Sequence, residues 1–186
     1  VLDINREAIK RGTGLVQQIL TFARKTDVKF SVFTLQDYLP KFFNMMKETF
    51  PRDINFSFDL DPTLPPIFAD QNQIHQVLLN LSVNARDAMP HGGMITVTSA
   101  LAEEEILQKQ FGKVHQGSYA CINIADTGGG MDSATLQRIY EPFFTTKEQG
   151  KGTGLGLAVV YSIVEGHRGF IDVKSSVGVG TTFLLY

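Results

Sequence analysis

The 186-residue chain is 43% hydrophobic and 19% charged, an ordinary soluble balance with enough length for one sizeable core and an appendage. A net charge of −2 and a pI near 6.1 leave no basic footprint for nucleic acid. The single cysteine, Cys121, excludes an internal disulfide and suits a reducing compartment, and no apolar run reaches the roughly 18–20 residues of a membrane span.

Taken in chain order, residues 3–26 have a helical period. Ala8, Gly12, Leu15, Ile19 and Phe22 recur at spacings of four and three, the seam of a bundle or coiled coil. Gly12 and Gly14 each cost about 1 kcal/mol in a helix interior, so this helix depends on partners. Residues 28–34 read as a linker between that helix (1–27) and a domain over 35–186. A second helix, about 35–50, presents Leu35, Leu39, Phe42, Phe43, Met46 and Phe50, and Pro51 stops it. Residues 54–60 alternate as a half-buried strand, and 67–69 form a short one.

Asp70 with Gln73 opens the next helix in the manner of a capping box. Ile74, Val77, Leu78, Leu81, Ala85 and Ala88 make its core stripe. Gln73, Asn80, Asn84 and Asp87 make a polar stripe about 100° around the axis, at the margin of the core. Asparagine is a poor helix former, so two of them one turn apart at that margin point to a role. Pro90 and Gly92-Gly93 end the helix. Residues 94–100 are a strand, 103–117 a long polar hairpin loop, and 119–125 a central strand. That strand ends in Asp126, followed by Gly128, Gly129 and Gly130, which places a carboxylate above a gap that a ligand can enter. A short helix over 133–140 follows. A final hairpin joins 170–175 to 181–186.

Between them lies the glycine-rich stretch 150–157, with Gly150, Gly152, Gly154 and Gly156 at every second position before an apolar helix. A glycine loop feeding a helix leaves free N–H groups at the positive end of the helix dipole, a phosphate-binding geometry. It is not a P-loop, because Thr145 and Gly152 stand where Gly and Ser/Thr are required. It is not the dinucleotide fingerprint either, since Leu155, Leu157 and Val159 occupy its last glycine position.

These sites, in this order, resemble the ATP-binding domain of sensor histidine kinases, within the superfamily that also holds gyrase, Hsp90 and MutL. Asn80-x-x-x-Asn84 is similar to the N box, and Asp126-x-Gly128-x-Gly130 to the first glycine box. Glu141–Lys147 is similar to the F box, Gly152-x-Gly154-x-Gly156 to the second glycine box and Gly178-x-Gly180-Thr181 to the third. The helix over 3–26 resembles the second helix of the family's dimerisation and phosphotransfer hairpin. The resemblance implies a two-layer α/β (α+β) sandwich: a mixed, mostly antiparallel sheet on three helices, with one extra N-terminal amphipathic helix. It also implies ATP and Mg²⁺ as ligands.

In that family pattern Asp126 would accept a hydrogen bond from the adenine amine, with Gly128, Gly130, Met131 and Thr181 around the base. Asn84 would ligate Mg²⁺, with Asn80 supporting the site from one turn earlier and Asp87 lining the pocket. Gly152, Thr153, Gly154, Leu155, Gly156 and Leu157 would hold the phosphates, and Lys147 or Lys151 would offset charge on the transferring group. Asn80 stands where hydrolysing members tend to carry a water-activating glutamate, which favours phosphotransfer over the alternative, a gyrase- or Hsp90-type ATPase. The family's acceptor histidine is followed by Glu or Asp. The four histidines here precede Gln76, Gly92, Gln116 and Arg168, so the acceptor is expected on a helix outside this chain. The expected partners are a response-regulator receiver domain and, in the full-length protein, a second copy of itself. The chain opens without methionine and stops inside a strand-like run. It therefore reads as a cytoplasmic piece of a longer protein, touching neither nucleic acid nor membrane.

Overall fold

The computed structural model describes residues 28–112, 114, 117–148 and 152–186. The helix expected over 3–26, the candidate Lys151, Gly150 and His115 lie outside the described residues. The described residues hold seven strands and five helices, in the order β1 (Ser31–Phe33), α1 (Leu35–Thr49), β2 (Ile54–Leu60), β3 (Ile67–Ala69), α2 (Gln71–Asp87), β4 (Gly93–Ala102), α3 (Glu104–Phe111), β5 (Tyr119–Asp126), α4 (Ser133–Leu136), α5 (Gly156–Gly166), β6 (Ile171–Ser176) and β7 (Gly180–Leu185). Among the described residues no helix is long and apolar enough to cross a membrane.

The main sheet runs β2-β4-β5-β7-β6, with β2 parallel to β4 and every other pair antiparallel. One face of it is apolar by alternation. Ile95 and Val97 of β4, Ile122 and Ile124 of β5, and Phe183 and Leu185 of β7 are all buried. Against them pack α1 through Leu39 and Phe43, α2 through Val77, Leu78 and Leu81, and α5 through Val160. This is the expected two-layer sandwich. Its core stripe on α2 is the one read from periodicity, and its edge is where the polar stripe surfaces.

Two segments depart from the expectations. The linker 28–34 carries β1, an antiparallel partner of β3 with Val32 opposite Phe68. Phe30 stacks on Phe68 at 5.1 Å, and the Lys29 N–H donates to Asp70 Oδ2 at 2.7 Å. Three residues show too little alternation to announce a strand, so its partner made it one. The polar stretch 103–117 is likewise not all loop, because 104–111 is α3. Leu107 is fully buried, and Phe111, one turn on, stacks on Phe170 at 4.8 Å. Glu104 and Glu105 in the first turn and Lys109 in the last suit the helix dipole. A helix anchored by one apolar residue per turn is easily mistaken for loop. The short helix expected over 133–140 is helical only to Leu136, with Asp132 Oδ1 accepting from the Thr135 N–H at 2.8 Å.

Candidate functional site

Helix α2 brings the first wall. Asp70 caps it, accepting from the Asn72 and Gln73 N–H groups at 2.9 and 3.1 Å, and this sets the rotation of the polar stripe. Asn80, Asn84 and Asp87 then face a cavity of about 440 Å³ bounded by α2, the end of β5, the segment 143–148 and the start of α5. Asn80 Nδ2 donates to the Gly156 carbonyl at 3.3 Å, which ties α2 to the first residue of α5. A Cβ on Gly156 would meet nothing closer than Asn80 at 3.9 Å. Glycine there leaves open space beside the asparagines rather than relieving a clash.

The sheet supplies the opposite end. Asp126 closes β5, in register with Thr181 of β7. Its Oδ1 accepts from the Gly128 N–H at 2.8 Å. Burial pushes its carboxyl above the ordinary value, and backbone N–H groups of Gly128 and Thr181 pull it part of the way back. Gly128 is buried beneath it, where a Cβ would stand 2.7 Å from the Ala88 side chain. Gly130 has φ +66°, and a Cβ there would overlap the Ser176 carbonyl oxygen. Ser175 Oγ binds three partners: it accepts from the Met131 N–H at 2.8 Å, donates to the Gly180 carbonyl at 3.1 Å and lies 2.9 Å from Thr181 Oγ1.

The third wall is the loop before α5. Phe143 and Gly154 both take left-handed backbone, φ +68° and +66°, and the Phe143 N–H donates to the Gly154 carbonyl at 2.9 Å. A Cβ on Gly154 would run into the Phe143 backbone. This pinch returns the chain to the head of α5 and swings Lys147 over α2. Lys147 Nζ lies 2.7 Å from Asp87 Oδ2 and 3.4 Å from Asn84 Oδ1. Arg86 grips the other oxygen of Asp87 at 2.7 and 2.9 Å. Burial pushes the Asp87 carboxyl up, but the bonds and charges of Lys147 and Arg86 outweigh it and hold the group below its usual value.

Of the residues expected from sequence, Asn80, Asn84, Asp87, Asp126, Gly130, Met131, Lys147, Gly152, Thr153, Gly154, Gly156, Leu157 and Thr181 line this one cavity. Two do not. Gly128 lies beneath Asp126, and the Leu155 side chain is 2% exposed in the core. Leu155 therefore anchors the start of α5 by apolar burial, while its N–H donates to Thr153 Oγ1 at 3.4 Å. Sequence reasoning missed the apolar walls Val83, Ile139 and Phe183. Val83 falls within the polar stripe of α2, and Phe183 lies two residues beyond Thr181 on the same face of β7, so both were within reach of the periodicity. Ser175 carried no local signal.

The donor chemistry limits what the cavity can hold. Among the described residues no group of three or more His, Cys, Asp or Glu side chains could cage a metal ion. Asn84 offers one neutral carbonyl oxygen, which fits a hard cation that brings water and phosphate oxygens as its other ligands.

Residues 69–186 match the family model of histidine kinase-, DNA gyrase B- and HSP90-like ATPases. Sensor kinase CckA of Brucella abortus (strain 2308) is 40% identical over 187 residues, spanning 100% of this chain and 20% of its own length. Sensor histidine kinase ZraS of Escherichia coli (strain K12) is 35% identical over 173 residues, 92% of this chain and 34% of its own. The crystal structure of full-length ShkA in complex with AMPPNP superposes with a TM-score of 0.74 at 25% identity, over 92% of this chain and 34% of that one. The chain thus spans 20% to 34% of the length of these relatives. It belongs to the histidine kinase-, DNA gyrase B- and HSP90-like ATPase family, as an ATP-binding catalytic domain of the sensor histidine kinase type.

Proposed function

We propose that residues 35–186 bind Mg·ATP and transfer its γ-phosphoryl group to a histidine that this chain does not contain, for relay to the aspartate of a response-regulator receiver domain. The observation that carries this reading is the polarity of the cavity: a half-buried carboxylate, Asp126, at the sheet end, and the head of α5 with Lys147 at the other. A carboxylate accepts from an exocyclic amine, whereas helix N-terminal amides and an ammonium attract phosphate. The purine then lies over Gly130, Met131 and Thr181, and the phosphates meet the amides from Gly152 to Leu157. Asn84 would hold Mg²⁺ through its carbonyl oxygen, and the ion would supply charge neutralisation and orientation of the transferring group. Lys147, which lines the cavity, adds positive charge there.

The remaining side chains favour transfer over hydrolysis. Asn80 has no basic oxygen to activate water, and it is engaged with Gly156. Asp87 is held between two cations. Among the described histidines, His75 packs edge-on against Phe42 and His91 sits exposed in the turn after α2. The His167 ring accepts from the Asp70 N–H at 3.0 Å and lies 2.8 Å from the Ile163 carbonyl. None of the three lines the cavity. The catalytic work is positioning and electrostatics, with a neutral imidazole nitrogen arriving from another helix as nucleophile. We place residues 1–27 as part of the hairpin that carries that histidine and joins two copies. A domain of this kind, with one buried thiol, works in the cytoplasm.

The test is calorimetric titration with Mg·ATP, followed by γ-labelled ATP in the presence of the missing acceptor helix. The expected result is binding that Asp126→Asn abolishes, and acid-labile, alkali-stable label on the added histidine only. Normal affinity in Asp126→Asn overturns the base assignment. Sustained steady-state hydrolysis without an acceptor points instead to the gyrase-type ATPase.

A further inference from the structure

Asp87 lies on the phosphate side of the cavity, yet an acceptor-only carboxylate repels phosphate. Both of its oxygens are already taken, Oδ1 by Arg86 and Oδ2 by Lys147 at 2.7 Å. Arg86 is itself held over the Phe50 ring at 5.5 Å. Lys147 rides on the segment 143–148, 60 residues from Asp87 in sequence, and a lysine stem has four rotatable bonds to place its charge. An ammonium has three donors. Asp87 takes one at 2.7 Å, so α2 holds the head group while the remaining N–H groups are left for a ligand in the cavity.

We propose that Asp87 is a positioning residue that acts through Lys147: it fastens the lysine to helix α2 with the ammonium aimed at the incoming phosphates, and makes no contact with nucleotide itself. This rests on the nucleotide reading above. Arg86 makes the arrangement tolerable electrostatically, because two cations share one carboxylate and the corner retains a net positive charge. The charge of Asp87 thereby enhances anion binding instead of opposing it.

The test is a double-mutant cycle on nucleotide affinity, measured by calorimetry for ATP and ADP with wild type, Asp87→Asn, Lys147→Met and the pair. Asp87→Asn is expected to weaken ATP binding about ten-fold when Lys147 is present and less than about two-fold when it is Met. Asp87→Glu, which keeps the ion pair, is expected to recover most of the loss. A purely structural role for Asp87 would not depend on residue 147. Equal effects in both backgrounds, or tighter ATP binding by Asp87→Asn, would overturn the proposal. Failure of wild type to bind ATP would instead sink the nucleotide reading, so the two ideas fail separately.

Discussion

At the residue scale, Asp126 shows most directly how function is set against stability. Burial raises its carboxyl above the ordinary value, so its ionised form is disfavoured by the fold. A raised folded-state value contributes stability only at low pH, and that contribution is lost as pH rises through it. At neutral pH the ionised group is therefore a burden that a neutral isostere removes. Asp126→Asn is expected to raise Tm at pH 7, with the gain vanishing on acidification, while ATP binding is lost; scanning calorimetry across pH checks both. ATP affinity of the wild type should also fall on acidification from above the ordinary carboxylate range near 3.9, tracked by titration at several pH values. Gly130 makes the complementary case. Its φ of +66° and the Ser176 carbonyl at its Cβ position leave no room for a methyl group. Gly130→Ala is expected to lose more than about 1 kcal/mol in denaturant unfolding, and nucleotide binding with it.

At the element scale, α2 is both core and site, and Asp70 sets its start. The same carboxylate caps α2 and takes the Lys29 N–H, while the Asp70 N–H reaches the His167 ring. The segment preceding the domain is thereby bonded to the head of α2 and to the residue after α5, the two helices that flank the cavity. Burial pushes the Asp70 carboxyl up, but the N–H bonds from Lys29, Gln73 and Asn72 outweigh it and leave the group lowered. A lowered folded value means stability that is present above the unfolded pKa and lost as pH falls through the folded one. Asp70→Ala is expected to lose about 1–2 kcal/mol at neutral pH, read from urea unfolding, and to lose its difference from wild type in acid. The departures β1 and α3 belong to this scale too. Each has its explanation in a partner, Phe68 and Phe170, that no local window contains.

At the scale of the whole molecule, the cavity is lined by α2, the end of β5, β7 and the chain leading into α5, so binding should report on the fold as a unit. A ligand held at one hundred times its Kd stabilises the folded state by about 2.7 kcal/mol. For a domain of this size that is a Tm rise of roughly 5–10 °C. Mg·ATP is expected to produce it in scanning fluorimetry, and EDTA to reduce it, because Asn84 alone makes a weak cation site. A Tm unmoved by Mg·ATP would contradict the nucleotide assignment for the cavity as a whole.

Much of this was legible in the residues themselves. The stripes of α2, the alternation of β2, β5 and β7, the carboxylate at a strand's end before glycines, and the glycine run before an apolar helix are all local patterns. Helical and strand periods, turn chemistry and left-handed glycines are dictated within a window of a few residues. What only the tertiary structure decided is who meets whom. Lys147 finds Asp87, Ser175 joins Met131 to Gly180, Leu155 turns inward to the core, and a linker becomes an edge strand because β3 offers open backbone groups. Those pairings depend on packing between segments tens of residues apart. Burial and charge settle them once the layers close, and no local period encodes that choice.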